Sequence, residues 1–399
     1  MPTNCEIRFD NPTGVYYAGQ QLSGTATLNT DHEKTIRAIH IEINGLAKVR
    51  WSESKSRTEN GKTKSYTVHY TAHEQYLASR TYTAGYEGGP SFNLAPGSYT
   101  YTFRCFLPIE LPTTFDGRYG HVKYEAVLTI DRPFRFDNVF KQAFTVIHPV
   151  DLNLNPRYRW PAERADEKQF CCFCCASGPC EIKLHSSHSG YAPGQKLNFI
   201  LAVANESTVD INICKIKLVK EIAYHATSPE HKTRYQHETV GEKTFGQVLR
   251  LSKKEFRDYI LMPSIPPTSS DSCRCIKISY SLVGKASPGG CHKDLNVQIP
   301  VTIGTVPILN LTPGAPSPGS IIIDQPIFNP SAPAIPTPSS EGDVPPSYDS
   351  FVPPSYEDAT LQGNFVDPDE MKHNSGPYVP KYPVYHNYCP SPPNAPPAE

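Results

Sequence analysis

The sequence contains no apolar run long enough to cross a membrane as a helix, which takes about twenty residues; Ser320-Ile321-Ile322-Ile323 falls far short. Its first residues, Met1-Pro2-Thr3-Asn4-Cys5-Glu6, offer no basic stretch leading into an apolar one, so no secretory leader is read there. The expectation is a cytoplasmic chain whose 12 cysteines are mostly reduced thiols. No long segment keeps a 3.6-residue apolar period, which excludes a helical bundle. Catalytic signatures are missing as well. There is no G-x-S-x-G elbow, no H-E-x-x-H, no G-x-x-x-x-G-K-[ST] and no G-x-G-x-x-G leading into a helix, so neither an enzyme nor a bound cofactor is expected. Charge is sparse at 19%, against roughly 25% in ordinary soluble domains.

What the sequence has instead is period-2 alternation. Ile39, Ile41 and Ile43 alternate with His40 and Glu42, and Val122, Tyr124, Ala126, Leu128 and Ile130 with Lys123, Glu125, Val127 and Thr129. Tyr99/Tyr101/Phe103/Cys105, Leu197/Phe199/Leu201/Val203, Ile276/Ile278/Tyr280/Leu282 and Val297/Ile299/Val301/Ile303 repeat the pattern. Alternation over four to eight residues, rich in β-branched and aromatic types, marks half-buried strands, and many of them between Gly and Pro turns mark β-sandwiches.

The strand-rich part is duplicated. Tyr16-Tyr17-Ala18-Gly19-Gln20-Gln21-Leu22 aligns with Tyr191-Ala192-Pro193-Gly194-Gln195-Lys196-Leu197, and Phe106-Leu107-Pro108 with Leu261-Met262-Pro263. Two units of one design imply two sandwiches in tandem. The first is longer, and its polar part Ser52–Lys64 is expected to be a mobile loop. Its basic residues Arg50, Lys55, Arg57, Lys62 and Lys64 lack the aromatic interleaving of a nucleic-acid surface, so no nucleic acid is expected as a partner and peripheral membrane contact is the alternative to a solvated loop.

Composition changes past Leu309. Of 40 prolines, 22 lie between Pro307 and Pro397, and residues 309–399 carry ten acidic residues against two lysines, a net −8 that leaves +7 on residues 1–308. With scattered apolar residues and no sustained pattern, 309–399 is expected to be disordered, and the charge split suggests a tail folding back on the body. Within it Val344-Pro345-Pro346-Ser347-Tyr348 recurs as Val352-Pro353-Pro354-Ser355-Tyr356. Paired prolines hold a polyproline II helix of three residues per turn, which enters the aromatic groove of a WW domain with little ordering entropy left to lose. The tyrosine falls on the face of the first proline, so Pro345, Pro346 and Tyr348, and again Pro353, Pro354 and Tyr356, form two candidate WW ligands. Their eight-residue offset spans roughly 25 Å when extended, about the width of a WW domain, so tandem domains fit side by side.

In this order the landmarks resemble the α-arrestins, the arrestin-domain-containing proteins. The resemblance rests on the Tyr-x-x-Gly-Gln-x-Leu opening of both units, Thr114-Phe115-Asp116-Gly117-Arg118-Tyr119-Gly120, Asp151-Leu152-Asn153-Leu154-Asn155, the Cys-rich segment, Ile303-Gly304-Thr305-Val306-Pro307 and the paired PPxY tail. It implies an all-β chain: an N-terminal arrestin-like (immunoglobulin-like) β-sandwich over 1–160, a Cys-rich linker over 161–178, a C-terminal one over 179–308, and a disordered proline-rich tail over 309–399. It also implies a non-catalytic adaptor. Its body engages membrane receptor or transporter cargo and its tail recruits HECT-type ubiquitin ligases through their WW domains, from the cytoplasm to the plasma membrane and endosomes. The charged cluster by which visual and β-arrestins sense receptor phosphates is not carried over, because no positions here match it. A non-ligase trafficking scaffold, similar to the arrestin-fold subunits of retromer, is the rival that needs no PPxY.

Smaller features remain open. Pro330-Ser331-Ala332-Pro333 resembles the late-domain motif bound by ESCRT-I. Cys171, Cys172, Cys174 and Cys175 suit palmitoylation near a membrane, or a zinc site on Cys171 and Cys174 with distant help from Cys273 and Cys275, or plain packing at the domain junction. The zinc alternative makes a thiol or metal-linked binding protein the second rival. His185 and His188 are expected at the surface near a turn.

Overall fold

A computed structural model describes residues 3–59, 62–172, 175–290, 292–309, 354–360 and 378–386; the side chains of 171–177 lie outside that description. The first unit contains β1 (Asn4–Phe9), β2 (Val15–Tyr17), β3 (Gln21–Thr30), β4 (Lys34–Ile36), β5 (Ala38–Glu59), β6 (Lys62–Gly85), β7 (Phe92–Leu94), β8 (Gly97–Phe106), β9 (Phe115–Asp116), β10 (Gly120–Asp131) and β11 (Asn138–Ile147). Sheet β1-β3-β8 packs on sheet β2-β11-β10-β5-β6, with β9 beside β10 and β4 paired to β7. The alternating residues of β5 and β10 point into the core, where Phe9 meets Phe144 of the facing sheet edge-on at 5.3 Å.

The second unit contains β12 (Ala162–Cys172), β13 (Cys175–Ser186), β14 (Gly190–Tyr191), β15 (Lys196–Asn205), β16 (Ile211–Ala226), β17 (Lys232–Phe245), β18 (Ser252–Leu261), β19 (Ile276–Pro288) and β20 (Leu295–Ile303). Sheet β12-β13-β15-β18 packs on β14-β20-β19-β16-β17, so the expected pair of sandwiches is present.

The duplication extends to individual hydrogen bonds. Gly19 and Gly194 both sit at φ near +90°, where glycine is favoured, and donate their N–H to Leu107 and Met262. The next residues, Gln20 and Gln195, fold their side-chain carbonyls back to accept from Tyr17 and Ala192. Tyr124 and Tyr280 each donate their hydroxyl to a proline carbonyl, Pro112 and Pro266, at 2.7 Å. Thr114 and Thr268 each accept a strand N–H, from Val146 and Ile303, at 2.8 Å.

Three expectations differ from the structure. The polar stretch 52–64 is the outer end of the β5–β6 hairpin, paired out to Glu59 and Lys62, rather than a loop. Its side chains are polar, so no apolar alternation announces it, yet backbone pairing needs none. Residues 161–178, expected as a linker, are largely the β12–β13 hairpin, whose β13 continues into the second sandwich. His188 is buried and stacked on Tyr191 at 4.1 Å, with burial pulling its imidazole down to about 4; His185 is half-buried near Glu163.

Candidate functional site

The two sandwiches meet along a seam of polar and aromatic contacts. Arg234 lies over the ring of Tyr119 at 4.0 Å, and Tyr119 packs edge-on against Tyr224. The outer part of the β5–β6 hairpin joins the start of β17 and the residues just before it: Tyr70 donates to Glu230 at 3.0 Å, Lys55 pairs with Glu230, and Lys232 with Glu53. Lys220 on β16 is 1% exposed, paired with Glu238 at 2.7 Å and placed over Phe115 of the other sandwich. A buried ion pair of this kind gives little net stability but fixes geometry, because either charge left alone would be costly.

Two pieces of the tail close over this seam. Strand β21 (Ser355–Asp358) pairs antiparallel with β22 (Lys381–Val384), so Tyr356 stands opposite Pro383. Three tyrosines pin the pair. Tyr378 shares a hydrogen bond with Thr145, Tyr382 donates to the Thr114 carbonyl at 3.0 Å, and Tyr385 donates to the Thr305 carbonyl at 2.7 Å. Thr114 and Thr145 belong to the first unit and Thr305 follows the second, so the tail bridges both. Tyr382 is 1% exposed, and burial holds its phenol well above the ordinary range. On the other side Ser264 donates to the Glu357 carbonyl at 3.0 Å and accepts from Thr360 through its own carbonyl. Gly194 makes room for the clip: a Cβ there would come within 2.2 Å of the Tyr385 carbonyl oxygen.

The sequence-predicted residues are thus divided. Ser355 and Tyr356 of the second PPxY copy lie in β21, Pro354 just precedes it, and Tyr356 is half-buried. Pro345, Pro346, Tyr348 and Pro353 lie outside the described residues, as do Pro330–Pro333 and Cys174; of Cys171, Cys172 and Cys175 the backbone alone is described. Sequence reasoning missed Tyr378, Tyr382 and Tyr385. Their signal was available: Tyr378-Val379-Pro380-Lys381-Tyr382-Pro383-Val384-Tyr385 gathers three tyrosines and two valines in eight residues of the tail.

Among the described residues one group could hold a metal ion: Glu74 on β6 with Cys273 and Cys275 before β19. The two sulfurs are 3.8 Å apart, and Cys273 also accepts the Ile276 N–H. The neighbouring Cys275 thiol, the Tyr76 hydroxyl and that N–H hold the Cys273 thiol down to about 7, while Cys275 is pushed up by its partner and by burial. Glu74 is already engaged by Arg274, which donates to it from backbone and side chain, so the group also acts as a pin between the sandwiches.

Comparison with protein-family models matches residues 5–153 to the arrestin (or S-antigen) N-terminal domain and 176–308 to the arrestin (or S-antigen) C-terminal domain. The chain is similar to "Arrestin domain-containing protein 17" of Caenorhabditis elegans, 28% identical over 76% of this chain and 71% of that one. It is also similar to "Arrestin domain-containing protein 4" of Homo sapiens, 27% identical over 75% and 70%, and to "Arrestin domain-containing protein 1" of Rattus norvegicus, 25% identical over 79% and 67%.

Proposed function

For a chain that belongs to the arrestin family, with arrestin domain-containing proteins of the α-arrestin type as its relatives, we propose a non-catalytic adaptor with an input and an output end. The double sandwich engages membrane receptor or transporter cargo. The tail recruits a HECT-type ubiquitin ligase through WW domains, so that cargo at the plasma membrane or on endosomes is ubiquitinated and sorted. The observation that carries this reading is the repeated Pro-Pro-Ser-Tyr at 345–348 and 353–356 in a chain with two arrestin domains. A retromer-like scaffold would not need the repeat.

In this reading the two copies are unequal. A WW groove needs the proline pair and the tyrosine on one face of a polyproline II helix, whereas Tyr356 is committed to a strand opposite Pro383. The second copy therefore binds only after β21 leaves β22, and its apparent affinity falls by the fraction of chains in which it has left. Release restores two-site binding, where avidity exceeds single-site affinity by roughly 10²–10⁴. Among the described residues tyrosines rather than opposite charges hold the β21–β22 pair to the sandwiches, so salt has little effect on it. The test is binding of tandem WW domains to full-length chain carrying Tyr348→Ala, Tyr356→Ala or both: each weakens binding and the pair abolishes it, while an undiminished double variant overturns the adaptor reading.

A further inference from the structure

The loop between β10 and β11 has the sequence Arg132-Pro133-Phe134-Arg135-Phe136-Asp137. Phe134 and Phe136 are as exposed as in an isolated peptide, at 107% and 97%, and no other large apolar side chain among the described residues is comparably bare. Scattered exposed apolar residues are ordinary on protein surfaces, but two full phenyl rings at one hairpin tip are not. The loop is built to hold them out. The Asp137 carboxylate accepts the Arg132 N–H at 3.1 Å and Arg132 donates to the Asn138 side chain at 3.2 Å, which closes the base. Phe134 has φ +57°, a region costly for a bulky aromatic, and it is kept there with nothing to pack against.

Around the rings the charge is mostly positive. Arg37, Arg132 and Arg135 line the same shallow cleft as the phenylalanines. Lys34 lies close enough that, after burial, the Arg132 and Arg135 guanidiniums are what hold its amine below the ordinary range. Asp131 is taken up by Arg37 at 2.7 Å, Asp137 closes the loop, and Arg135 is exposed with no carboxylate partner among the described residues. The feature is a narrow convex tip with aromatic rings outermost and cations behind them.

From this arrangement we infer that the β10–β11 tip, through Phe134 and Phe136 with Arg37, Arg132 and Arg135, docks on an anionic phospholipid bilayer. Aromatic rings enter the interfacial region while guanidiniums meet lipid phosphates, the division of labour found at peripheral membrane contacts. A protein groove is the alternative occupant, and the comparison of anionic with neutral vesicles separates it from the bilayer. The inference takes its purpose from the adaptor reading, since cargo sits in the same bilayer, but its chemistry does not depend on the tail. The geometry suits that division. Strand β11 runs from Asn138 at the tip to Thr145, where Tyr378 and Lys381 of the tail are held. Seven residues of strand put the two ends about 23 Å apart, so the ligase-binding tail is kept clear of the bilayer while the tip rests on it.

The test is co-sedimentation of the full-length chain with vesicles of phosphatidylcholine containing phosphatidylserine and with vesicles of phosphatidylcholine alone. Phe134→Asn with Phe136→Ser is the main variant, because asparagine accepts the positive φ and leaves the fold intact. The chain is expected on the anionic vesicles, with the double variant weakened about tenfold or more and Arg135→Gln about fivefold. Failure of the unmodified chain to bind the anionic vesicles, or equal binding by the double variant, overturns the inference. Tandem WW binding measured on the same samples is a separate readout: if it persists while vesicle binding fails, the tip inference alone has failed.

Discussion

Gly19 and Gly194 occupy twin positions in the two sandwiches, with φ +91° and +90° and the same backbone bonds, yet their surroundings differ. At Gly19 an added methyl meets nothing nearer than 3.9 Å, whereas at Gly194 it meets the Tyr385 backbone. Gly19→Ala therefore costs the conformational strain alone, on the order of 1–2 kcal/mol. Gly194→Ala adds expulsion of the tail and should cost more, with the difference between the two unfolding midpoints reporting the clip. If the two substitutions proved equal, Tyr385 would not be seated there. His188 offers a second residue-scale test. Its folded value near 4 lies below the unfolded 6.5, so the unfolded chain binds the extra proton. The stabilisation is complete above about pH 6.5 and is lost as pH falls towards 4, amounting to about 3 kcal/mol over that window. His188→Gln should flatten the fall in melting temperature through that window, and an unchanged slope would show that the imidazole is not buried neutral.

At the scale of elements, how much was legible follows from what the strands face. β5, β10, β15, β19 and β20 bury every second residue, so alternation revealed them and their repeated turns revealed the duplication. Residues 56–59 and 62–67 at the end of the β5–β6 hairpin are exposed on both faces, and β12 is rich in charged residues, so neither left a periodic trace. β21 and β22 are shorter still. Four residues each, with Pro383 inside the second, they fall below any local signal, and what makes them strands is each other and a seam supplied by residues 80 to 268 positions away. The charge split pointed to a tail lying on the body, although tyrosine hydroxyls and rings hold it. Removing one should be enough to show this. Tyr382→Phe loses a bond worth about 1 kcal/mol, while Tyr382→Ala empties a buried site and should free β21 outright. Amide exchange across 355–358 should then rise, and tandem WW domains should bind the alanine variant more tightly than the unmodified chain. Equal binding would mean that the second copy was never concealed.

The whole molecule is a pair of duplicated sandwiches locked along a polar seam, with its own tail laid across the joint and an aromatic tip at the far end of β11. The PPxY repeat, the clip and the tip can each fail alone: in the proposed reading the repeat sets which partner is recruited, the clip when, and the tip where. Of these the repeat was plain from the sequence because a polyproline ligand is a local code. The clip and the tip were hidden because each depends on exposure or burial that only the folded chain defines. The adaptor account stands or falls on the repeat. Its most direct measurement is the affinity of full-length chain for tandem WW domains of a HECT-type ligase, with and without Tyr348→Ala and Tyr356→Ala together. The account predicts that the double variant has no measurable binding while its melting curve stays that of a folded chain, and binding as tight as that of the unmodified protein would contradict it.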